Sequence, residues 1–382
     1  MTVNTAVRHA ERSRDNTDLR YRKSSDRRCF YGGTGLQCGW GNYLLLRNAS
    51  DHMAGVKQNG LREREEKLMY FFNPNTIMTC GPEISFGDKI TVLKDRLENA
   101  DAIVIGAGSG LSTAAGYTYT GKRFEEYFAD FERKYGFRDM YSGGFYPYRT
   151  MEEFWGYWCR YIWINRYAPI PSDLYEKLRT LVKDKDYFVL TTNVDHCFQR
   201  SGFDRKRLYY TQGDYGLFQS SDPQEASRDK TYDNYDCIRG MLLAEGWQIG
   251  QEGELFLPES GNVSMTIPSN RIPVCPDDGK LMTTNLRVDD SFVQDEGWYQ
   301  AAERYQEFLR RHEGLHVLYL ELGVGMNTPG IIKFNFWQYT KENPKAFYAC
   351  INKGEAGCAR DITKRSVCMD TGIREVLEAL ET

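Results

Sequence analysis

The sequence contains no run of about 20 apolar residues, the length that a helix needs to span a bilayer. Its N-terminus has basic residues but lacks the apolar segment that marks a secretory signal. A net charge of −4 provides no chain-wide field that would attract nucleic acid or an anionic membrane. From these absences we expect a cytoplasmic protein that binds neither nucleic acid nor membranes.

The 10 cysteines are scattered, and no two of them form a Cys-x-x-Cys pair. Without a secretion signal they are expected to remain reduced thiols. Aromatic residues, by contrast, make up 14% of the chain, so rings are expected to build much of its core. The length of 382 residues allows two or three domains, or one large domain with a smaller insertion.

Residues 1–77 are polar and interrupted by glycine. Such a composition buries too little apolar surface to offset the entropy of ordering, so we predict a poorly structured extension. Met69 and Met78 both precede the first well-patterned helix. One hypothesis is that the natural protein begins near one of them, and the alternative is a genuine N-terminal tail.

From residue 88 onward, apolar strands alternate with amphipathic helices. Strands are predicted at 101–106, 187–191, 207–211, 315–323 and 346–352. This alternation predicts an α/β fold with a doubly wound, Rossmann-like parallel sheet. The turn-rich residues 217–300 interrupt the alternation and predict a small inserted module. The Rossmann-like domain would then comprise 78–216 and 301–382.

Two further segments precede the central strands. Residues 117–150 are rich in glycine and tyrosine without a clean period, which favours a mobile loop over a site. Residues 151–167 form an aromatic pattern whose charged residues exclude a membrane span. We predict a core helix there, packed against the site.

The strand at 101–106 runs into GAGSGLSTAAGY, a glycine-rich turn that opens a helix of small residues. Glycines let a phosphate approach the backbone, and helix N–H groups point at the anion. The turn therefore predicts nucleotide binding. A tight turn that packs its helix closely on the sheet is the alternative.

The stretch from Tyr187 to Gly216 holds two strands that each end in polar side chains. Thr192, Asn193 and Asp195 follow the first strand, whereas Gln212 and Asp214 follow the second. Ligands bind beyond the carboxyl ends of parallel strands, so these side chains are expected to meet in a crevice. Ordinary turn chemistry is the alternative, because Asn, Asp and Gly are also common turn residues.

Over roughly residues 80–380, the order of these motifs resembles that of the sirtuins. The matching motifs are Gly106-Ala107-Gly108, Arg123-Phe124, Thr192-Asn193-Val194-Asp195, Gln212-Gly213, Gly323-Val324-Gly325 and Ile351-Asn352. The runs GAGSGLSTAAGY, DMYSGGFYP and TNVDH are most similar to the macrodomain-linked branch, called class M.

The resemblance implies that NAD is bound and consumed as a co-substrate. The residues that it implies for NAD binding are Gly106, Ala107, Gly108, Gly110, Ser112, Arg123, Phe124, Thr192, Gly323, Gly325 and Asn352. The residues that it implies for catalysis are Asn193, Asp195, Gln212 and Asp214.

One departure from the family concerns position 212, where sirtuin deacylases carry a histidine base. The amide of Gln212 cannot accept a proton near neutral pH, so deacylation should be impaired. Asn193 and Asp195 can still support cleavage of the nicotinamide–ribose bond. Asp214 is the candidate base for the acceptor, and His196 is expected to be a loop histidine.

Class M members are described as protein ADP-ribosyltransferases that modify lipoylated carriers of the glycine-cleavage H type. The resemblance therefore implies this activity, a protein substrate of that kind, and a macrodomain hydrolase as a partner. An NAD-dependent deacylase and a non-catalytic sensor of NAD or ADP-ribose remain alternatives, with a hydride-transferring dehydrogenase behind them. Arg287 and Asp289 either face the acceptor or form a surface ion-pair cluster.

A second departure concerns the structural zinc that sirtuins hold with two Cys-x-x-Cys pairs. Here the pairs are reduced to Cys237 with Gly240 and Cys275 with Asp278. Two thiolates and one carboxylate make a poor tetrahedral site. We therefore predict no tightly bound zinc, no metal ligands, and a degenerate zinc-ribbon-like module.

Overall fold

The computed structural model describes residues 78–79, 83–327 and 329–381. The predicted extension over 1–77 lies outside the described residues. Within them, no helix is both long and apolar enough to cross a membrane.

The secondary structure follows chain order. The strands are β1 (Met78–Thr79), β2 (Ala102–Ala107), β3 (Tyr187–Thr191), β4 (Leu208–Tyr210), β5 (Gly213–Ser220), β6 (Tyr232–Asp233), β7 (Gln248–Ile249), β8 (Leu255–Phe256), β9 (Met282–Leu286), β10 (Val317–Leu322), β11 (Phe347–Ile351), β12 (Cys358–Ala359) and β13 (Ser366–Met369). The α-helices are α1 (Phe86–Glu98), α2 (Ser109–Ala114), α3 (Lys122–Tyr135), α4 (Met140–Gly144), α5 (Met151–Ile162), α6 (Leu174–Val182), α7 (Cys197–Arg200), α8 (Tyr235–Glu245), α9 (Glu296–Arg311), α10 (Lys333–Glu342) and α11 (Ile373–Glu381). A π-helical turn, Trp163–Tyr167, continues α5, and 3-10 turns cover Arg205–Arg207, Ser269–Arg271 and Arg360–Arg365.

Six parallel strands form the central sheet in the order β13-β11-β10-β2-β3-β4. The chain starts at β2, adds β3 and β4 on one side, and then adds β10, β11 and β13 on the other. This is the doubly wound order, so the predicted Rossmann-like α/β fold is confirmed. The order reverses between β2 and β10, and the crevice beyond their carboxyl ends is where such sheets bind ligands.

Both faces of the sheet are covered, as the apolar strands require. Along β2, Ile103 and Ile105 pack into one core with α1, α6 and α11. Ala102 and Val104 point the other way, into a second core with α9 and α10. Every residue of β2, β10 and β11 is buried, and apart from Glu321 in β10 these strands carry no charged side chain and do not alternate between apolar and polar residues.

The prediction of a loop over residues 117–150 is wrong, because this segment contains two helices, α3 and α4. Phe124, Phe128 and Phe131 recur at helical spacing and are buried along one face of α3. Surrounding glycines and tyrosines hide this period in the sequence. The predicted core helix over 151–167 is present as α5 and the π turn, with most of its residues buried.

An antiparallel sheet follows β4, the third parallel strand in chain order, with β5 paired to both β6 and β9. It begins at Gly213, so residues ahead of the predicted boundary at 216 already belong to it. We retain the division into a Rossmann-like part and an inserted module as a proposal, with this earlier start.

A third, largely aromatic core joins the module to α3 and α5. The rings of Trp155 and Phe218 meet edge to face, with centroids 4.9 Å apart. Arg160 on α5 is 1% exposed and bonds Asp130 of α3 at 2.9 Å and Glu245 of the module at 3.1 Å. The module is therefore fastened to α3 and α5 by a buried ion-pair network.

Candidate active site

Two glycine turns, after β2 and after β10, pack backbone against backbone at the point where the strand order reverses. The amide of Gly110 donates to the carbonyl oxygen of Gly323 at 2.9 Å. A Cβ on Gly108 would lie 2.6 Å from that carbonyl oxygen, and one on Gly110 would lie 2.6 Å from the Cα of Gly323. Gly323 also has a φ of +62°. Side chains are therefore excluded at these positions, which is why the turns can meet.

The loop after β3 is tied to the first glycine turn. The amide nitrogen of Asn193 donates from its side chain to the carbonyl oxygen of Gly108 at 3.0 Å. Asp195 accepts a bond from the amide of Cys197 at 2.9 Å and another from the hydroxyl of Ser112. Burial raises the pKa of Asp195. These bonds fix both side chains at the carboxyl end of the sheet.

A cleft of about 290 Å³ opens at this edge. The predicted site residues that line it are Gly108, Ser112, Thr192, Asn193, Asp195, Gln212 and Gly325. Arg287 lines it as well. The crevice prediction for the Tyr187–Gly216 stretch thus agrees with the geometry, since its two strand-end segments meet in one cleft.

Several predicted NAD-binding residues shape the cleft without lining it. A Cβ on Gly106 would lie 2.4 Å from Ile332, so this glycine serves helix–sheet packing. The carbonyl oxygen of Ala107 accepts a bond from the hydroxyl of Thr191 at 2.9 Å. Asn352 donates to the carbonyl oxygen of Val324 at 3.0 Å and so holds the second glycine turn.

The structure places Arg123 and Phe124, both predicted to bind NAD, outside the lining of the cleft. Phe124 is 2% exposed and stacks on Phe128 with centroids 5.9 Å apart, so we assign it to the aromatic core. The guanidinium of Arg123 donates to the carbonyl oxygen of Ile164 at 2.9 Å and lies over the ring of Tyr117. Arg123 therefore orders the wall of the cleft rather than lining it.

Gln212 enters the cleft at the start of the antiparallel sheet. Gly213 follows it with a φ of +96°, and a Cβ there would lie 1.9 Å from the carbonyl oxygen of Asn285. The Gln212 carbonyl accepts a bond from the amide of Arg287 at 3.0 Å. A residue of the module, Arg287, is thereby held beside Gln212.

Asp214 does not line the cleft, which argues against it as the acceptor base. It is 3% exposed and bonds Arg166 at 2.7 Å and the Nδ1 atom of His196. Burial works to raise the pKa of Asp214, but the bond to His196 and the charge of Arg166 outweigh burial and lower it. A paired carboxylate with a lowered pKa is a weak proton acceptor. His196 lies in the loop after β3, as expected, and is the direct partner of Asp214.

Several residues of the cleft were not predicted from the sequence. Tyr117, Tyr119, Asn165 and Asn327 all line it. Asn165 lies in the π turn, and such turns are frequent at functional sites, so this irregularity of α5 marks the position only once the structure is known. Tyr117 and Tyr119 sat in the segment predicted to cover a site, but no pattern singled them out.

Two buried polar atoms of the cleft residues have no hydrogen-bond partner within the described part of the chain. They are the hydroxyl oxygen of Tyr117 and the Nε atom of Arg287. The Arg287 guanidinium lies over the rings of Phe292 and Trp298, and burial lowers its pKa. Buried polar groups are rarely left unpaired, so these atoms fit a polar ligand such as NAD.

Hydrogen bonds hold the turn around Cys275 and Asp278, which lies in the module predicted to be a degenerate zinc ribbon. Tyr232 donates to Asp277 at 2.6 Å, and the thiol of Cys275 lies 3.3 Å from the Tyr232 hydroxyl. Asp278 accepts a bond from the hydroxyl of Ser227. In the part of the chain that the structure describes, no three His, Cys, Asp or Glu side chains are grouped to hold a metal ion.

Comparison with known proteins gives two curated relatives. A protein ADP-ribosyltransferase of Staphylococcus aureus is 34% identical over 287 residues, 75% of this chain and 85% of the relative. A Fusarium oxysporum f. sp. cubense protein named "Probable bifunctional ADP-ribose hydrolase/ADP-ribosyltransferase" is 28% identical over 266 residues. That match covers 64% of this chain but only 39% of the fungal protein. No protein-family model matches the chain.

Among solved structures, similar chains include Sir2 bound to acetylated peptide, at 17% identity and a TM-score of 0.43. That match covers 76% of this chain and 95% of the other. A mutant Sir2 homologue in complex with 2′-O-acetyl ADP-ribose matches at 14% identity and a TM-score of 0.45, covering 76% and 94%.

The staphylococcal relative is similar to this chain over most of both proteins. The chain belongs to the family of protein ADP-ribosyltransferases, which are NAD-dependent transferases, and its motifs resemble those of the sirtuins.

Proposed function

We propose that this cleft holds the nicotinamide–ribose end of NAD against Asn193 and Gln212 and passes ADP-ribose to a protein acceptor. The observation that carries the proposal is the composition of the cleft. Asn193, Asp195 and Gln212 line it together, and no histidine is among the described residues that do so. This set supports bond cleavage and transfer rather than the base-dependent second half of deacylation.

NAD supplies a glycosidic bond whose cleavage leaves positive charge on the ribose. The side-chain amide nitrogen of Asn193 donates to the carbonyl oxygen of Gly108, which fixes the amide, and we propose that its side-chain oxygen faces the ribose. A fixed amide dipole pointing its oxygen at developing positive charge stabilises that charge without reorganising. Asp195 adds a buried carboxylate, held in place by Ser112 and Cys197.

Gln212 supplies hydrogen bonds and no proton transfer, because an amide is neither acid nor base near neutral pH. We propose that it orients the ribose hydroxyls. Arg287 lies beside it on the module side, with an Nε atom that has no hydrogen-bond partner among the described residues, and we propose that Arg287 faces the acceptor. Asp289, by contrast, is exposed and bonds the amide and hydroxyl of Ser291 at 2.8 and 2.6 Å, which suits a turn residue.

For the acceptor we propose a lipoylated carrier protein of the glycine-cleavage H type, met in the cytoplasm. We further propose a macrodomain hydrolase as partner, which would remove the modification. The name of the fungal relative, which couples an ADP-ribose hydrolase to a transferase, supports such a pairing. We also propose that the protein works without tightly bound zinc.

The experiment incubates the protein with NAD labelled in its adenylate half and with one of three acceptors. These are a lipoylated carrier, the same carrier without lipoate, and an acetylated lysine peptide. We expect nicotinamide release together with label on the lipoylated carrier. Loss of the acetyl group from the peptide, without label on any acceptor, would show that the reaction is deacylation and not ADP-ribose transfer.

A non-catalytic sensor is separated in the same experiment. If NAD binds, as measured by calorimetry, but neither nicotinamide release nor labelling occurs with any of the three acceptors, the proposed reaction is wrong. Labelling of both carrier forms alike would retain the transferase and remove lipoate from the proposal.

A further inference from the structure

Three segments line the cleft, and each of them also contributes a neighbouring residue to one buried cluster of charged side chains. In the π turn, Asn165 lines the cleft and Arg166 follows it. After β3, Asp195 lines the cleft and His196 follows it. At the start of β5, Gln212 lines the cleft and Asp214 lies two residues on. The cluster residues Arg166, His196 and Asp214 do not themselves line the cleft.

Asp214 is the centre of this cluster. Its Oδ1 atom accepts bonds from the Nε atom of Arg166 and from the amide of Gly216, both at 2.7 Å. Its Oδ2 atom meets the Nδ1 atom of His196. A backbone bond of 2.9 Å from Tyr215 to the carbonyl of Val194 runs alongside. The segments that carry Asn193 and Gln212 are therefore joined by this carboxylate and by the backbone bond beside it.

His196 adopts a backbone conformation that most side chains avoid. Its φ is +64°, and within the described residues it is the one non-glycine residue with a positive φ. Glycine or asparagine fits such a position with less strain. A strained backbone conformation persists where the surrounding contacts hold it in place. For His196 these contacts include the bond to Asp214.

We propose that His196 is a positioning residue for the transfer reaction, which rests on the proposed function. Through Asp214 it fixes the loop of Asn193 against the start of β5, and so sets the spacing between Asn193 and Gln212 across the ribose. It acts through its bond to Asp214 and does not touch the reacting atoms.

Three substitutions separate the conformation of His196 from its hydrogen bond. His196→Gly accepts the positive φ but has no side-chain donor. His196→Asn also accepts the positive φ and keeps an amide N–H that can reach Asp214. His196→Ala loses both. The control is His316→Asn, because His316 also bonds an aspartate, Asp101 at 3.0 Å, but at the amino end of the sheet.

The first measurement is nicotinamide release from NAD, with kcat and KM determined separately. We expect kcat to fall about 100-fold in the Gly and Ala variants, the effect of misplacing groups by about 1 Å. KM should change little, the Asn variant should recover most of kcat, and the control should match the unaltered protein. Full kcat in the Gly variant, or no recovery in the Asn variant, would overturn the proposal.

The second measurement needs no turnover. Hydrogen exchange in peptides covering 192–196 and 212–216 should be faster in the Gly variant and near normal in the Asn variant. A peptide covering β10 should be unchanged. Equal exchange in all proteins would contradict the positioning role. If the unaltered protein releases no nicotinamide, the proposed function fails, while exchange still decides whether His196 orders the two segments.

Discussion

The amide nitrogen of Arg287 donates a hydrogen bond to the carbonyl oxygen of Gln212, with 3.0 Å between the two atoms. Arg287 follows β9 of the inserted module, and Gln212 precedes β5. This bond closes the antiparallel pair at the edge of the cleft. The module therefore contributes to the lining of the cleft. It places Arg287 beside Gln212, the residue that replaces the histidine of the sirtuin deacylases.

Asn193→Ala is expected to lower nicotinamide release about 100- to 1000-fold, the scale for removing one fixed dipole from a developing charge. Radiolabelled NAD measures the release. Asn343→Ala is the control, because Asn343 also donates its side-chain amide to a backbone carbonyl, that of Leu315 at 2.8 Å, away from the cleft. A full-rate Asn193 variant would remove this residue from the mechanism.

Gln212→His places an imidazole in a cleft that no histidine of the described residues lines. Because imidazole accepts protons near neutral pH, we expect deacetylation of an acetyl-lysine peptide to appear and ADP-ribose transfer to fall. Mass spectrometry of the peptide measures the gain. Gln338→His, on the exposed side of α10, is the control. No deacetylation together with unchanged transfer would show that residue 212 does not set the reaction type.

Lys333→Met removes half of a fully buried ion pair, in which the Nζ atom of Lys333 lies 2.5 Å from Glu321. The stranded carboxylate should lower the free energy of unfolding by about 3–5 kcal/mol, as measured by urea denaturation. Lys177→Met breaks a solvent-exposed pair with Glu381 and should cost less than about 1 kcal/mol. Equal losses in the two variants would contradict a structural role for the buried pair.

Chelator treatment is expected to leave the melting temperature unchanged, because hydrogen bonds hold the turn around Cys275 and Asp278 in the inserted module. Asp278→Ala should lower the melting temperature, since it removes the acceptor for Ser227 and for the amide of Lys280. Differential scanning calorimetry with and without chelator measures both effects. Stoichiometric zinc in protein purified without chelator would refute this account.

Asp195→Asn gives a pH-dependent test. Burial raises the pKa of Asp195 above its ordinary value of 3.8, so the fold favours the neutral form. The stability that the neutral Asp195 side chain contributes is fully present below its ordinary pKa. It is lost as the pH rises through the pKa that Asp195 has in the folded protein. The Asn variant, neutral at every pH, should therefore be more stable than the unaltered protein at pH 7, with the difference vanishing towards pH 4.

Asp214→Asn is the matched control for that test. The pKa of Asp214 is lowered, so its contribution is present above the ordinary value and is lost as the pH falls through the folded pKa. This variant should be less stable than the unaltered protein at pH 7. Thermal unfolding between pH 4 and 7 measures both differences, and the same sign for both variants would contradict the assignment.

The parallel sheet could be predicted because its strands are buried on both faces and read as continuous apolar runs. The strand Ser366–Met369 was not predicted. Within α3, the spacing of Phe124, Phe128 and Phe131 was present in the sequence. Frequent glycine and tyrosine around it concealed the period.

The strand-end polar residues were predictable because the carboxyl ends of parallel strands share one edge of the sheet. The contact between His196 and Asp214 was not, because it depends on how two loops fold back on each other. A short sequence motif also cannot tell a glycine that shapes a cleft from one that packs a helix. Gly108 and Gly106 illustrate this difference.

The aromatic core shared by α3, α5 and the module has a consequence for protein engineering. A chimera that exchanged residues 217–300 alone would leave Arg160 without Glu245 and Trp155 without Phe218. The smallest exchangeable unit is therefore the module together with residues 117–168. Recombination experiments that alter acceptor choice should move these two stretches as one block.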